Sequence, residues 1–111
     1  MEDIEIRQVL LRIGISYHTK GYQFILEAIK ILRKQQIHTN IIDIYEMISN
    51  KTNSTKNYVE RGIRSAITTA YKRGTVLSKI YNRKPVNAAF LYDMVFNFDI
   101  FLNEINKGEV K

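Results

Sequence analysis

Glu60, Arg61 and Arg64 stand within about one helical turn of each other in the stretch NSTKNYVERGIRSAITTAYKRG, Asn53 to Gly74. An arginine fork donates paired hydrogen bonds, a geometry that matches O6 and N7 of guanine, and a glutamate can accept from a cytosine amino group. That chemistry is recognition rather than bond making. For the latter the chain offers no glycine-rich phosphate loop, no nucleophile motif and no close carboxylate pair with a task. No catalytic residue is assigned and no enzyme is expected. His18 and His38 are the only histidines and cysteine is absent, so both read as structural or surface residues. Neither a metal nor a cofactor is expected.

To share one face, these side chains need a helix. At 100° per residue, Val59, Ile63, Ala66, Ile67 and Ala70 fall on one side, with Tyr71 at its edge. Asn57, Glu60, Arg61, Arg64, Ser65 and Thr68 fall on the other. Ser54 reads as the N-cap, the helix runs to Arg73, and Gly74 stops it. Ahead of it the spacing predicts a shorter helix, Ile41 to Ser49, capped by Asn40 and burying Ile41, Ile44, Tyr45 and Ile48; the polar turn Asn50 to Asn53 joins the two. This is the layout of a helix-turn-helix over about 41–73. The residues placed for base edges are Asn57, Tyr58, Glu60, Arg61, Arg64 and Ser65. A competing reading stays open, because Glu60 with Arg64 and Lys56 with Glu60 are (i, i+4) pairs that suit a salt-bridged solvent face.

Charge distinguishes these readings better than the total of +6 does. Between Lys51 and Lys84 nine basic residues face the single acid Glu60, a local balance of +8, whereas the rest of the chain sums to −2. A positive field confined to one segment suits a polyanion. Phosphate contacts are expected from Ser54, Lys56, Lys72, Arg73, Lys79, Arg83 and Lys84.

The remaining pattern is helical as well, and the expected fold is all-α with about six helices. A first helix, Ile4 to Arg12, turns Ile4, Val9, Leu10 and Ile13 inward and stops at Gly14. Thr19 caps a second, in which Tyr22, Ile25, Leu26, Ile29 and Leu32 recur at three- and four-residue steps. A short helix is expected over Val76 to Tyr81. After Pro85, Asn87 caps a last helix to about Ile105, with Phe90, Met94, Phe98, Phe101 and Ile105 as its main stripe. Leu91, Val95 and Leu102 widen that stripe, while Tyr92, Phe96 and Ile100 lie off it. Deep burial explains this composition, and so does a surface for a homodimer or another partner. Tyr17, Tyr22, Tyr45 and Tyr71 read as core or edge packing rather than a stacking platform. Residues 1–111 form one expected domain.

At three blocks the chain resembles a known family, the C-terminal DNA-binding effector domain of the sporulation response regulator, stage-zero sporulation protein A. The blocks are IGISYHTKGYQFILEAI (Ile13 to Ile29), YEMISNKTNSTKNYVERGIRSAITTAYKRG (Tyr45 to Gly74) and KPVNAAFLYDMV (Lys84 to Val95). Within them stand His18, Lys20, Gly21 and Tyr22, and the core Val59, Glu60, Arg61, Ile63 and Arg64. The resemblance implies a six-helix fold, a recognition helix in the major groove, and short GC-containing boxes that occur in tandem. It also implies that Glu60, Arg61 and Arg64 lie at or near bases and that Lys20 faces the backbone. The chain departs from the family in carrying Tyr58 where an arginine precedes the Val-Glu-Arg core. The receiver domain that normally precedes the effector is expected to be absent, since Met1 lies close to the effector's own start.

The combined expectation is a sequence-specific regulator of transcription that binds double-stranded DNA. The alternative is a protein-interaction module of the same fold that modulates a regulator through its apolar C-terminal helix. The acidic N-terminus is no secretory signal, and no apolar run reaches the roughly 20 residues that span a bilayer. A cytoplasmic setting without a membrane partner is expected.

Overall fold

A computed structural model describes residues 3–35, 40–74 and 76–109. Among them the chain forms seven helices and no strand: α1 (Asp3–Arg12), α2 (Lys20–Gln35), α3 (Ile41–Thr52), α4 (Lys56–Arg73), α5 (Val76–Ile80), α6 (Asn87–Phe96) and α7 (Asp99–Glu109). α4 lies at the centre, packed chiefly on α2 and α3 and more lightly on α5 and α6.

α1 buries Ile6, Val9 and Leu10, with Ile13 just beyond it. Ile4, expected inward, is 66% exposed. Two residues turn a helix by about 200°, so once Ile6, Val9, Leu10 and Ile13 define the stripe, Ile4 points away. Gly14 takes φ of 101°, a left-handed conformation that only glycine adopts without strain, and the chain turns into α2. Thr19 caps α2 as expected, its Oγ1 accepting from Tyr22 N–H at 3.2 Å. Tyr22, Ile25, Leu26, Ile29 and Leu32 are all buried, and Phe24 and Ala28 join them.

Asn40 Oδ1 accepts from Ile42 N–H at 2.9 Å and opens α3. That helix continues three residues past Ser49 because Asn53 supplies the left-handed ending, φ 55° and ψ 45°, with its N–H on the Ser49 carbonyl. Asparagine tolerates this region better than other non-glycine residues. The chain therefore enters α4 one residue later than the serine reading. Thr55, not Ser54, is the N-cap, its Oγ1 accepting from Tyr58 N–H at 3.1 Å. Ser54 sits in the turn with its hydroxyl 3.1 Å from Thr52 Oγ1. Gly74 ends α4 in an extended rather than left-handed conformation, donating to the Ala70 carbonyl at 2.8 Å.

The single C-terminal helix expected over 87–105 is two. α6 ends at Asn97, whose side-chain amide donates to Asp93 Oδ1 at 2.9 Å, and α7 starts at Asp99. Eleven residues of straight helix would separate Phe90 from Phe101 by about 16 Å along the axis. Their ring centroids instead lie 5.8 Å apart, edge to face, because the chain folds back at the corner. Phe90, Leu91, Met94, Phe101 and Ile105 are buried, and Tyr92, Val95, Phe98 and Leu102 are partly so. Phe96 and Ile100 point outward at the corner. Asn87 is not a cap either: Val86 holds that position without a side-chain bond, and Asn87 turns its amide into the interior.

Candidate nucleic-acid interface

Val59, Ile63, Ile67 and Ala70 fasten α4 to the core, with Ala66 and Tyr71 partly buried beside them. The opposite face is left to solvent. Asn57, Tyr58, Arg61, Arg64 and Ser65 are exposed, and Glu60 is half-buried. Arg61 lies at the middle of this face and makes no ion pair among the described residues. Arg64 Nε stands 3.6 Å from Glu60 Oε2, the (i, i+4) pair anticipated from spacing. Lys56 pairs instead with Glu46 of α3, at 3.8 Å. Both are surface pairs of low intrinsic strength, so they leave these side chains available.

Each flank of the exposed face carries a lysine from another part of the chain. On the α2 side, Lys20 lines a groove of about 550 Å³ with Thr19, Tyr58, Arg61 and Ser65. Its floor is a helix crossing without side chains: a Cβ on Gly21 would stand 2.3 Å from the Gly62 carbonyl oxygen and 2.8 Å from Ala66 Cβ. Only glycine at position 21 lets α2 come this close to α4.

On the other flank, the segment between α5 and α6 brings Lys84 against Thr68, Nζ donating to Oγ1 at 3.2 Å. A second groove there includes Tyr45, Glu60, Arg64, Lys84 and Asn87. Asn87 holds its wall together. Its amide donates to Tyr45 Oη at 3.0 Å and to the Glu60 backbone carbonyl at 3.1 Å, joining α3, α4 and α6 through one buried side chain. Burial pushes the Tyr45 phenol above its usual 10.0, against the lowering bond from Asn87; the Glu60 charge adds to the rise and Arg64 opposes it.

Lys72, Arg73, Lys79 and Arg83 are exposed, the first two at the far end of α4, Lys79 on α5 and Arg83 beside Lys84. Ser54 is half-buried in the turn. The sequence reading missed the cap Thr55, the bridging Asn87 and the partner hydroxyl of Thr68. Two adjacent hydroxyl residues at 54 and 55 signalled a cap, but which of them served depended on the conformation of Asn53.

Among the aromatic residues, Tyr22 is buried and Tyr45 and Tyr71 are half-buried, but Tyr17 is 58% exposed and lies tilted against exposed His18 with ring centroids 3.9 Å apart. Thus Tyr17 is not the core or edge residue expected from the sequence. His38 lies outside the described residues. Among those described, no group of histidines and carboxylates is arranged to hold a metal, and no helix is long and apolar enough to cross a membrane.

A helix-turn-helix whose second helix is apolar on its inner face, polar on its outer face and flanked by cations defines a nucleic-acid-binding class of protein. The family model described as Sporulation initiation factor Spo0A C terminal matches residues 6–97 of the 111, and the chain belongs to that family. This is a family of DNA-binding effector domains, in keeping with the regulator resemblance of the three sequence blocks.

Proposed function

We propose that the protein is a sequence-specific transcriptional regulator that lays α4 in the major groove of double-stranded DNA. Asn57, Tyr58, Glu60, Arg61, Arg64 and Ser65 meet base edges. Lys20, Ser54, Lys56, Lys72, Arg73, Lys79, Arg83 and Lys84 meet phosphate. The observation that carries this reading is the placement of Lys20 and Lys84 on opposite sides of the Arg61-centred face. A groove about 12 Å wide accepts one helix and presents a phosphate backbone on each side of it. A merely solvated face has no need of a cation on both flanks. Selection of binding sites from random duplex DNA tests the proposal directly: a defined preferred sequence is expected, and recovery of sequences no better than the starting pool would refute it.

One observation favours a second role beside the first. Phe96 and Ile100 are exposed together at the α6–α7 corner, 61% and 37%, with Tyr92 stacked on Phe96. A large aromatic in solvent suits self-association on tandem sites or contact with another regulator. Sedimentation of the protein alone and on a two-box duplex, compared with Phe96→Ser, measures this role. Loss of dimer or of cooperative binding in the variant is expected.

A further inference from the structure

The exposed face of α4 differs between its two edges. Toward Lys84 it is charged, with Glu60 and Arg64. Toward Lys20 it carries Tyr58, 46% exposed and the only large hydrophobic among the candidate base-facing residues. Its backbone is fixed at the helix start and its ring rests against the core. Thr55 accepts from its backbone N–H at 3.1 Å, and its ring stands edge-on to Phe24, centroids 5.8 Å apart at 81°. Phe24 is itself 1% exposed, wedged where α2 crosses α4, its Cδ2 3.0 Å from the place a Cβ on Gly62 would occupy. A ring seated on a buried ring has few other positions open to it. It offers carbon to the groove it shares with Arg61 and Ser65, and one hydroxyl that has no hydrogen-bond partner among the described residues.

In the major groove the base edges display donors, acceptors and one apolar group, the C5-methyl of thymine. A fixed aromatic edge cannot make a paired hydrogen bond to guanine but can exclude water from a methyl group. Resting on the reading of α4 as the recognition helix, we infer that Tyr58 is a specificity-determining residue that packs on the C5-methyl of a thymine beside the base pair Arg61 contacts. The site then combines two kinds of selection, polar at Arg61 and Arg64 and apolar at Tyr58.

The test uses the full chain and its selected duplex, with each thymine replaced in turn by deoxyuridine, which removes the methyl group and nothing else. At one position the replacement weakens wild-type binding about four-fold, the value of one buried carbon group. Tyr58→Phe keeps that penalty, and Tyr58→Ala binds the thymine and uracil duplexes alike while unfolding at a similar temperature. The inference is overturned if no uracil position carries a penalty while Arg61→Ala still loses selectivity, a result that leaves the proposed function standing. It is overturned too if Tyr58→Phe loses as much affinity as Tyr58→Ala on both duplexes, which would assign the hydroxyl to a phosphate. A selection that yields no preferred sequence overturns the inference and the proposed function together.

Discussion

Arg61 and Arg64 share one face of α4 but differ in what each would surrender on the proposed binding. Arg64 is engaged with Glu60, whereas Arg61 has no ion pair among the described residues. Arg61→Ala is expected to cost about 1–3 kcal/mol on the preferred site, with a matching loss of base preference. Arg64→Ala should fall toward the lower end, since releasing its pair with Glu60 already offsets part of the gain. Competition titrations against single-base variants of the site measure both. A different pair of residues sets the start of this helix. Thr55→Ala removes the cap and should lower stability by about 1 kcal/mol, while Ser54→Ala, in the turn, should change it by a few tenths at most. Urea denaturation separates them, and equal effects would put the cap in doubt. The chemistry of this cap was legible in the sequence and its position was not. Ser54 and Thr55 have the same capability, and the choice follows from a backbone conformation at Asn53 that no residue type dictates outright.

At the scale of elements, the crossing of α2 over α4 governs how the site is held. Gly21→Ala drives a methyl group into the Gly62 carbonyl and the Ala66 side chain, neither of which can rotate away. A loss at or above the top of the usual overpacking range, about 1–3 kcal/mol, is expected, whereas Gly62→Ala meets only the Phe24 ring at 3.0 Å and should cost less. Thermal unfolding of the two variants provides the comparison. α5 is held by hydrogen bonds as well as packing: Tyr71 Oη donates to the Tyr81 carbonyl at 3.0 Å, and Tyr81 Oη donates to Asp93 Oδ2 of α6 at 2.7 Å. Burial raises the Tyr81 phenol far above its usual 10.0, and the Asp93 bond and charge raise it further. The neutral phenol thus favours the folded state. Its contribution is complete below about pH 10 and declines as alkali ionises the unfolded chain's tyrosine first. Tyr81→Phe should therefore lose less stability than wild type between about pH 10 and 12, measured by denaturation at several pH values. The helices themselves were legible from period and caps. The break at Asn97 was not, because Phe90 through Ile105 keeps one apolar stripe across it. The break lets Phe101 pack edge-on to Phe90, a tertiary contact invisible to local spacing.

For the whole molecule, the uneven charge is the feature that acts at a distance. The segment from Lys51 to Lys84 has a balance of +8, and affinity for any duplex should fall steeply as salt displaces condensed counterions. Lys72→Ala should weaken all sequences alike and lower the slope of log affinity against log salt by about one. A changed base preference at constant slope would remove Lys72 from the phosphate set. The concentration of charge was plain in the sequence. Its arrangement was not, since Lys20 precedes α4 by more than thirty residues, Lys84 follows it, and only the packing of α2 and the approach to α6 bring them to its two sides. The contact between Gly21 and Gly62 then has a consequence for the duplex as well as for the protein. With Gly21 of α2 set so near Gly62 of α4 that an added methyl group would meet its carbonyl, the Lys20 flank has little room to move inward, and Asn87 bridges α3, α4 and α6 behind the opposite wall. If α4 reads DNA as proposed, the two flanks act as a gauge of set width. On the proposed function, a duplex whose groove is too wide or too narrow must deform to fit it, so base pairs that no side chain touches still contribute to selection through their stiffness.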